Sequence, residues 1–318
     1  MDKTFFVRTI LTSEPRIAAE LIRLGGIVAF PTETVYGLGA DVFDTEAVAK
    51  IFEAKQRPQD NPLIAHIGSL DQIDQLAESV PDFARVLIAE FFPGPLTLVL
   101  KKSVEVPSVA TAGLDSIGVR MPRHELAREF LTACRTPIVA PSANLSGRPS
   151  PTTWEAVYED LNGRIDCILQ GDATEIGLES TVVDCTGDRP VVLRQGSVTL
   201  EDIRGIVPNA VANDSDEAAR KSPGLRHKHY SPDAKVVVIG AQTHISDAPS
   251  SAYIGMSDRE ECFGAEQIVA DADEYAQLLF EFFRECEREG LKTIYCEAVE
   301  EIGIGAALMD RIRRAAQG

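Results

Sequence analysis

Lys55 and Arg57 stand one residue apart in a loop that Pro58 and Pro62 stiffen, and Asn61 adds an amide to it. Two cations and a donor held in one place can grip a phosphate through charge-assisted hydrogen bonds. Cations at a helix C-terminus also complement the macrodipole, so the spacing alone leaves both uses open. Pro141-Ser142-Ala143-Asn144-Leu145-Ser146-Gly147 sets small hydroxyl and amide groups directly after an apolar run. Such groups bind a carboxylate or phosphate, and they also make ordinary turns. Thr32-Glu33-Thr34, His66, Ser116, Arg120, Ser180-Thr181 and Arg194 repeat the theme of polar residues at the ends of apolar runs. By default His66 is a satisfied core histidine and Arg120 a solvated strand end. Alternation along 116–120 allows Ser116 and Arg120 to point into one cleft.

The segments between these groups must bring them together. Ile27–Phe30 is a short apolar run bounded by Gly25-Gly26 and Pro31, which suits a strand covered on both faces. A polar turn through Thr32–Thr34 and Tyr36-Gly37-Leu38-Gly39 follows. Asp44 or Thr45 can cap a helix over 45–55, with Val48, Ile51 and Phe52 on one face. Asn61-Pro62 then turns the chain into a strand over 63–67 that carries His66. Further strands are expected at 96–100, 117–120, 138–140 and 182–184, and helices at 15–24, 81–91, 125–132 and 153–161. The class is therefore α/β with a mixed sheet, because short connections make some strand pairs antiparallel. Open α/β sheets place ligands at such strand ends.

The chain of 318 residues is long enough for two domains with real cores. Residues 1–207 read as the catalytic domain and 208–233 as a polar, turn-rich linker. Residues 234–318 read as a smaller C-terminal Rossmann-like α/β domain, with strands at 236–240, 252–256 and 293–298 and helices at 272–289 and 306–316. Gly303-Ile304-Gly305 imitates a dinucleotide fingerprint, but Leu308 stands where the third glycine belongs, so a surface turn is expected. The six cysteines form no CxxC pair, which suits a reducing, cytoplasmic setting and gives no metal spacing. His227-Lys228-His229 has no partner ligands, so no metal site is expected. No secretory signal is expected, and no apolar run approaches the ~20 residues of a membrane span. The net charge of -18 argues against bulk nucleic-acid binding. There is no GxxxxGK[ST], HExxH, GxSxG or kinase signature.

Taken together, PTETVYGLG, KQR followed by PQDNPLIAHI, PGPLTLVL, IGVRMPRH, APSANLSG, LESTVVD, VLRQG and SPGLRHKHYSP resemble the YrdC-like family in its long two-domain form. The likeness runs in family order over about two-thirds of the chain. It implies a twisted mixed open sheet with a concave cleft, and formation of L-threonylcarbamoyl-adenylate and pyrophosphate from L-threonine, bicarbonate or CO2, and ATP. The product would feed threonylcarbamoyladenosine modification of tRNA, with downstream transfer proteins as partners and tRNA as a transient contact. The resemblance implies Lys55, Arg57, Ser142 and Asn144 as catalytic residues. It implies Thr34, His66, Arg120, Ser142, Ser180 and Thr181 around L-threonine, with Arg120 facing the carboxylate. It implies Lys55, Arg57, Asn61, Ser116, Asn144, Thr152, Arg194 and Tyr230 around ATP, with Mg2+ on the phosphates. Gln195 departs from the proline expected after the arginine, which bears on loop stiffness. Residues 222–232, with Arg226, Lys228, His229 and Tyr230 between stiff ends, are expected to cover the nucleotide. Two other readings are a non-catalytic RNA-binding module, which the charge disfavours, and a carbamoyl-adenylate-handling transferase like the related domain of hydrogenase maturation proteins.

Overall fold

The computed structural model describes residues 8–213 and 230–317; most of the stretch expected to cover the nucleotide, including Arg226, Lys228 and His229, lies outside them. The first sheet is built from β1 (Ile10–Thr12), β2 (Val28–Phe30), β3 (Gly37–Asp41), β4 (Ile64–His66), β5 (Leu96–Lys101), β6 (Ser116–Arg120), β7 (Ile138–Ala140), β8 (Cys167–Leu169), β9 (Thr181–Asp184), β10 (Val191–Arg194) and β11 (Val211–Ala212). Their spatial order is β1-β8-β2-β3-β7-β4-β6-β5-β9-β10-β11. Pairing is mixed: β4 runs parallel to β6, and β3 and β4 run antiparallel to β7. Alternate residues of β2 serve two cores. Val28 and Phe30 pack with α1 (Pro15–Arg23) and a helix over Glu125–Cys134, while Ile27 and Ala29 join a larger core on the other face. That core takes Val48, Ile51 and Phe52 from α2 (Thr45–Lys55), which Asp44 caps by accepting from Glu46 N and Ala47 N at 3.0 Å.

Strand β3 corrects the sequence reading, which made Tyr36-Gly37-Leu38-Gly39 part of a turn. Here the glycines serve close packing. A Cβ on Gly39 would stand 2.6 Å from Cγ2 of Ile138, so only glycine lets β3 lie between β2 and β7. The first sheet also continues into the linker-like stretch, where Val211 pairs with Val191.

The second sheet is all parallel, in the order Lys235–Ile239, Thr293–Glu297, Ala252–Gly255, Ala265–Ile268. Helices over Ala272–Arg288 and Ile304–Ala316 pack on it, as expected of a Rossmann-like unit. Gly303 sits at φ 61 and starts the last helix, so the glycines there are a helix entry. At the strand ends, the Glu297 carboxylate takes Tyr253 OH at 2.6 Å, Met256 N and Ser257 N at 2.8 Å, and Ser257 Oγ at 2.5 Å. Donors that would face a ligand in such a fold are used internally.

The two units share buried contacts. Val35, Leu178 and Tyr230 belong to the core of the second unit. Gly177, at φ 77, approaches the helix over 272–288 so closely that a Cβ would meet Ala276 O at 2.5 Å. Arg284 from that helix is buried and donates to Asp160 at 2.9 and 3.2 Å and to Pro149 O at 2.6 Å. Arg148 adds a second contact to Asp160 and one to Glu287, at 2.5 and 2.6 Å. Removing one partner of a buried pair leaves an uncompensated charge and costs roughly 3–5 kcal/mol. Arg284→Met should therefore lower the urea midpoint clearly; an unchanged midpoint would show that Arg148 alone satisfies Asp160.

Candidate functional site

A cleft with about 580 Å³ of empty space opens at the ends of the central strands of the first sheet. Its lining includes Thr34, Arg57, His66, Arg120, Ser142, Ser180, Arg194 and Tyr230, with Thr32 and Glu179 beside them. The parallel register of β4 and β6 sets His66 opposite Arg120, so two distant sequence segments deliver neighbouring side chains.

Arg120 is buried and its donors are directed. Nη1 donates to Thr34 Oγ1 at 2.8 Å and Nε to Gly94 O at 3.3 Å. Thr32 spends its hydroxyl proton on Val35 O at 2.6 Å, so the 2.9 Å contact between the two threonines has Thr34 as donor. Nη2 touches Glu33 Oε1 at 2.9 Å as an ion pair lying off the hydrogen-bond line. Burial pushes the Glu33 carboxyl up, but the Arg120 charge and hydrogen bonds overcome it and hold the pKa below the usual value.

Lys55 is wholly buried and does not line the cleft. Its Nζ donates to Ser142 O and Asn144 O, both at 2.5 Å, and its carbonyl accepts from Ser146 N at 3.0 Å. Burial and then Arg57 push its pKa well below an ordinary lysine's. Lys55 thus pins the turn that presents Ser142. Within that turn Ser142 Oγ donates to Asn144 Oδ1 at 2.6 Å, and Asn144 Nδ2 donates to Leu145 O and Arg148 O at 2.7 and 2.9 Å. The αL residue Gln56, at φ 51, ends α2 and sends Arg57 the other way, onto the cleft wall.

Among the described residues, the buried Nε of Arg57 has no hydrogen-bond partner, and neither has either polar side-chain atom of the buried Asn61. Burial lowers the Arg57 pKa to about 10, which leaves it a cation. Arg194 donates to Ser180 O at 3.1 and 3.0 Å and to Ser180 Oγ at 3.3 Å. Thr97 shares a 2.8 Å hydrogen bond with the same hydroxyl. Tyr230 stacks on Phe280 with centroids 5.4 Å apart and joins the lining from the second unit's core.

Not every expected residue reaches this wall. Asn61, Asn144, Thr152 and Thr181 are buried outside the lining, and Thr181 Oγ1 donates to Val198 O at 2.6 Å. Ser116 shares a strand with Arg120 but begins it, roughly 13 Å away at ~3.3 Å per residue, and only Arg120 lines this wall. Glu179, read with Ser180 and Thr181 as a polar strand end, joins the lining, while Thr97 and Arg311 belong to the site's surroundings without having been singled out. Thr97 had a signal, a lone polar residue in the apolar run over 96–100. Among the described residues no cluster of His, Cys, Asp or Glu could hold a metal ion.

Fold and cleft define a YrdC-like α/β protein with cations gathered at its strand ends. Residues 20–196 match the family described as "Telomere recombination", and residues 198–317 match "Threonylcarbamoyl-AMP synthase, C-terminal domain". A threonylcarbamoyl-AMP synthase of Pyrococcus abyssi is 46% identical over 320 residues, covering 94% of this chain and 93% of that protein. Its Bacillus subtilis counterpart is 41% identical over 328 residues, covering 96% and 94%. The crystal structure of P. abyssi Sua5 complexed with L-threonine superposes with a TM-score of 0.90 at 43% identity over 97% of each chain. Escherichia coli YciO matches 62% of this chain and 98% of its own, with a TM-score of 0.54 at 26% identity. The chain belongs to the threonylcarbamoyl-AMP synthase family, in its two-domain form.

Two expectations follow from the geometry. Replacing Lys55 by Met keeps the apolar stem but strips two buried carbonyls of their donor, at about 1–3 kcal/mol for each group left unsatisfied. The variant should lose stability as well as activity; activity lost at unchanged stability would instead assign Lys55 directly to substrate. His66 donates through Nδ1 to Ile64 O at 3.1 Å, since a carbonyl only accepts, and burial and then Arg120 lower its pKa to about 3. The folded state keeps His66 neutral while the unfolded imidazole gains a proton below about 6.5, so acid draws the chain toward unfolding from about pH 6.5 down to about pH 3. His66→Gln should flatten that decline in urea titrations; parallel curves would leave the acid sensitivity to the carboxylates.

Proposed function

We propose that the cleft joins L-threonine, bicarbonate or CO2, and ATP into L-threonylcarbamoyl-AMP, with release of pyrophosphate. Chemically this is a nucleotidyltransferase. One observation carries the reading: among the described residues the cleft wall presents three buried guanidiniums, Arg57, Arg120 and Arg194, against Glu179 on the wall and Glu33 paired with Arg120. In a chain of net charge -18, such an excess calls for an anionic ligand. Support comes from relatives named threonylcarbamoyl-AMP synthase and from the Sua5 structure with L-threonine.

The wall divides by chemistry. Thr34, His66, Arg120, Ser142 and Ser180 form the amino-acid side, where the Arg120 fork can take a carboxylate. Arg57 and Arg194, backed by the unpartnered amide of Asn61, form the phosphate side, with Tyr230 above it. Asn144 supports Ser142, while Ser116 and Thr152 are assigned to more distant parts of the nucleotide. The threonine amine attacks CO2 and loses a proton, giving a carbamate. A carbamate oxygen then forms the bond to the α-phosphorus as the bond to pyrophosphate breaks. No covalent enzyme intermediate is needed, so positioning and neutralisation of charge carry the catalysis. Glu33 and Glu179 are both tied to arginines, so this wall does not fit a resident Mg2+; the ion belongs to the Mg–ATP substrate. The product suits tRNA modification, with a separate transfer protein as acceptor, in the cytoplasm. Among the described residues no helix is long and apolar enough to cross a membrane.

Pyrophosphate release from ATP should require both L-threonine and bicarbonate. Equal release with threonine omitted would sink the assignment.

A further inference from the structure

Glu179 stands on the cleft wall, yet its carboxylate is held from two directions. Oε1 accepts from Ser150 Oγ at 2.6 Å, and Oε2 accepts from Arg311 Nε at 3.0 Å. Arg311 comes from the last helix of the second unit, 132 residues later, and is completely buried. The same guanidinium donates through Nη2 to Gln195 O at 3.0 Å and lies 5.5 Å from the centre of the Tyr230 ring. Its Nη1 meets Asp310 at 2.8 Å, and Arg314 in turn holds Asp310 at 3.0 Å. One side chain therefore bridges two chain segments. The first bears Ser180 beside Glu179, and the second bears Arg194 beside Gln195. Simple adhesion between the units is already supplied by Arg284 with Asp160 and Pro149, so it does not account for a second buried arginine aimed at the cleft.

We propose that Arg311 is a positioning residue for the cleft: from the second unit it holds Glu179 and the Gln195 carbonyl together, and so sets Ser180 and Arg194 toward the two substrates. This rests on the reading that the cleft joins threonine to ATP. The arrangement also ties the chemistry to pH. Glu179 faces Arg311 from the last helix, itself paired with Asp310, Arg194 from β10, Ser150 from the turn before the helix over 154–161, and Tyr230. Burial pushes its carboxyl up, while Arg311 and then Arg194 overcome burial and keep it below the ordinary range. Without Arg311, burial regains ground and Glu179 takes up a proton at higher pH. A protonated Glu179 becomes a donor, which changes the hydrogen bonding beside Ser180.

The test uses the full chain and measures pyrophosphate release against pH, with melting curves for every variant. Arg311→Met should raise the KM for ATP and threonine about tenfold or more, the scale of one charge-assisted hydrogen bond. It should also add an acid limb, with activity falling at a higher pH than it does in the parent, because the buried carboxyl has lost its largest opposing charge. Adding Glu179→Gln should erase that limb, because an amide does not titrate. Arg311→Lys keeps a charge beside Glu179 but cannot also reach Gln195 O, so it should shift KM without the limb; it carries the test if the Met variant does not fold. A loss that is uniform in pH with both KM values unchanged would mean fewer folded molecules and would overturn the proposal. Should the parent release no pyrophosphate at all, the functional reading fails and calorimetric threonine binding decides. Weakening that is greater at low pH in Arg311→Met supports the positioning role, and equal binding at both pH values overturns it.

Discussion

A cation taken out of water must find acceptors or an opposite charge, because no apolar contact in a fold returns what an unpaired buried charge costs. That constraint organises this molecule. Lys55 is met by the carbonyls of the turn at 142–144, Arg120 by Glu33 and Thr34, Arg284 by Asp160, and Arg311 by Glu179. Each solution fixes a loop that would otherwise be free to move. The cleft is thus shaped by charges that cannot leave, and its residual positive character is what remains after internal partners are counted.

The second unit is part of this arrangement. Its two long helices each send one fully buried arginine into the first unit, and its apolar core takes in Val35, Leu178 and Tyr230. Meanwhile its own strand ends, where a Rossmann-like sheet would receive a ligand, are closed by Glu297. The fold of that unit supplies rigidity and reach, and its chemistry points toward the neighbouring cleft.

Much of this was legible in the sequence, and the failures have physical causes. The helix over 45–55 and the strands at 64–66, 96–101 and 138–140 announce themselves through caps, prolines and apolar spacing, all local signals. The residues of the cleft were legible too, because Thr34, His66, Arg120, Ser142 and Arg194 sit at strand ends. The strand Gly37–Asp41 was hidden because its glycines serve close packing, whereas sequence reading treats them as turn makers. Ser116 and Arg120 share a strand face, but periodicity says nothing about distance along the strand. Lys55 carried the right charge for a phosphate and is used on carbonyls instead. Arg284 and Arg311 could not be found at all: on a helix they resemble solvated charges, and their partners lie 124 and 132 residues away.

That separation has a consequence for how the protein is made. A ribosome adding about 5–20 residues per second delivers Glu179 on the order of ten seconds before Arg311 exists. Through that interval the nascent first unit holds a carboxylate whose arginine partner from the second unit has yet to be synthesised, whereas Asp160 already has Arg148 beside it. Burying Glu179 before that partner exists is penalised, so the cleft wall that bears it is expected to be completed last, once Arg311 has been made.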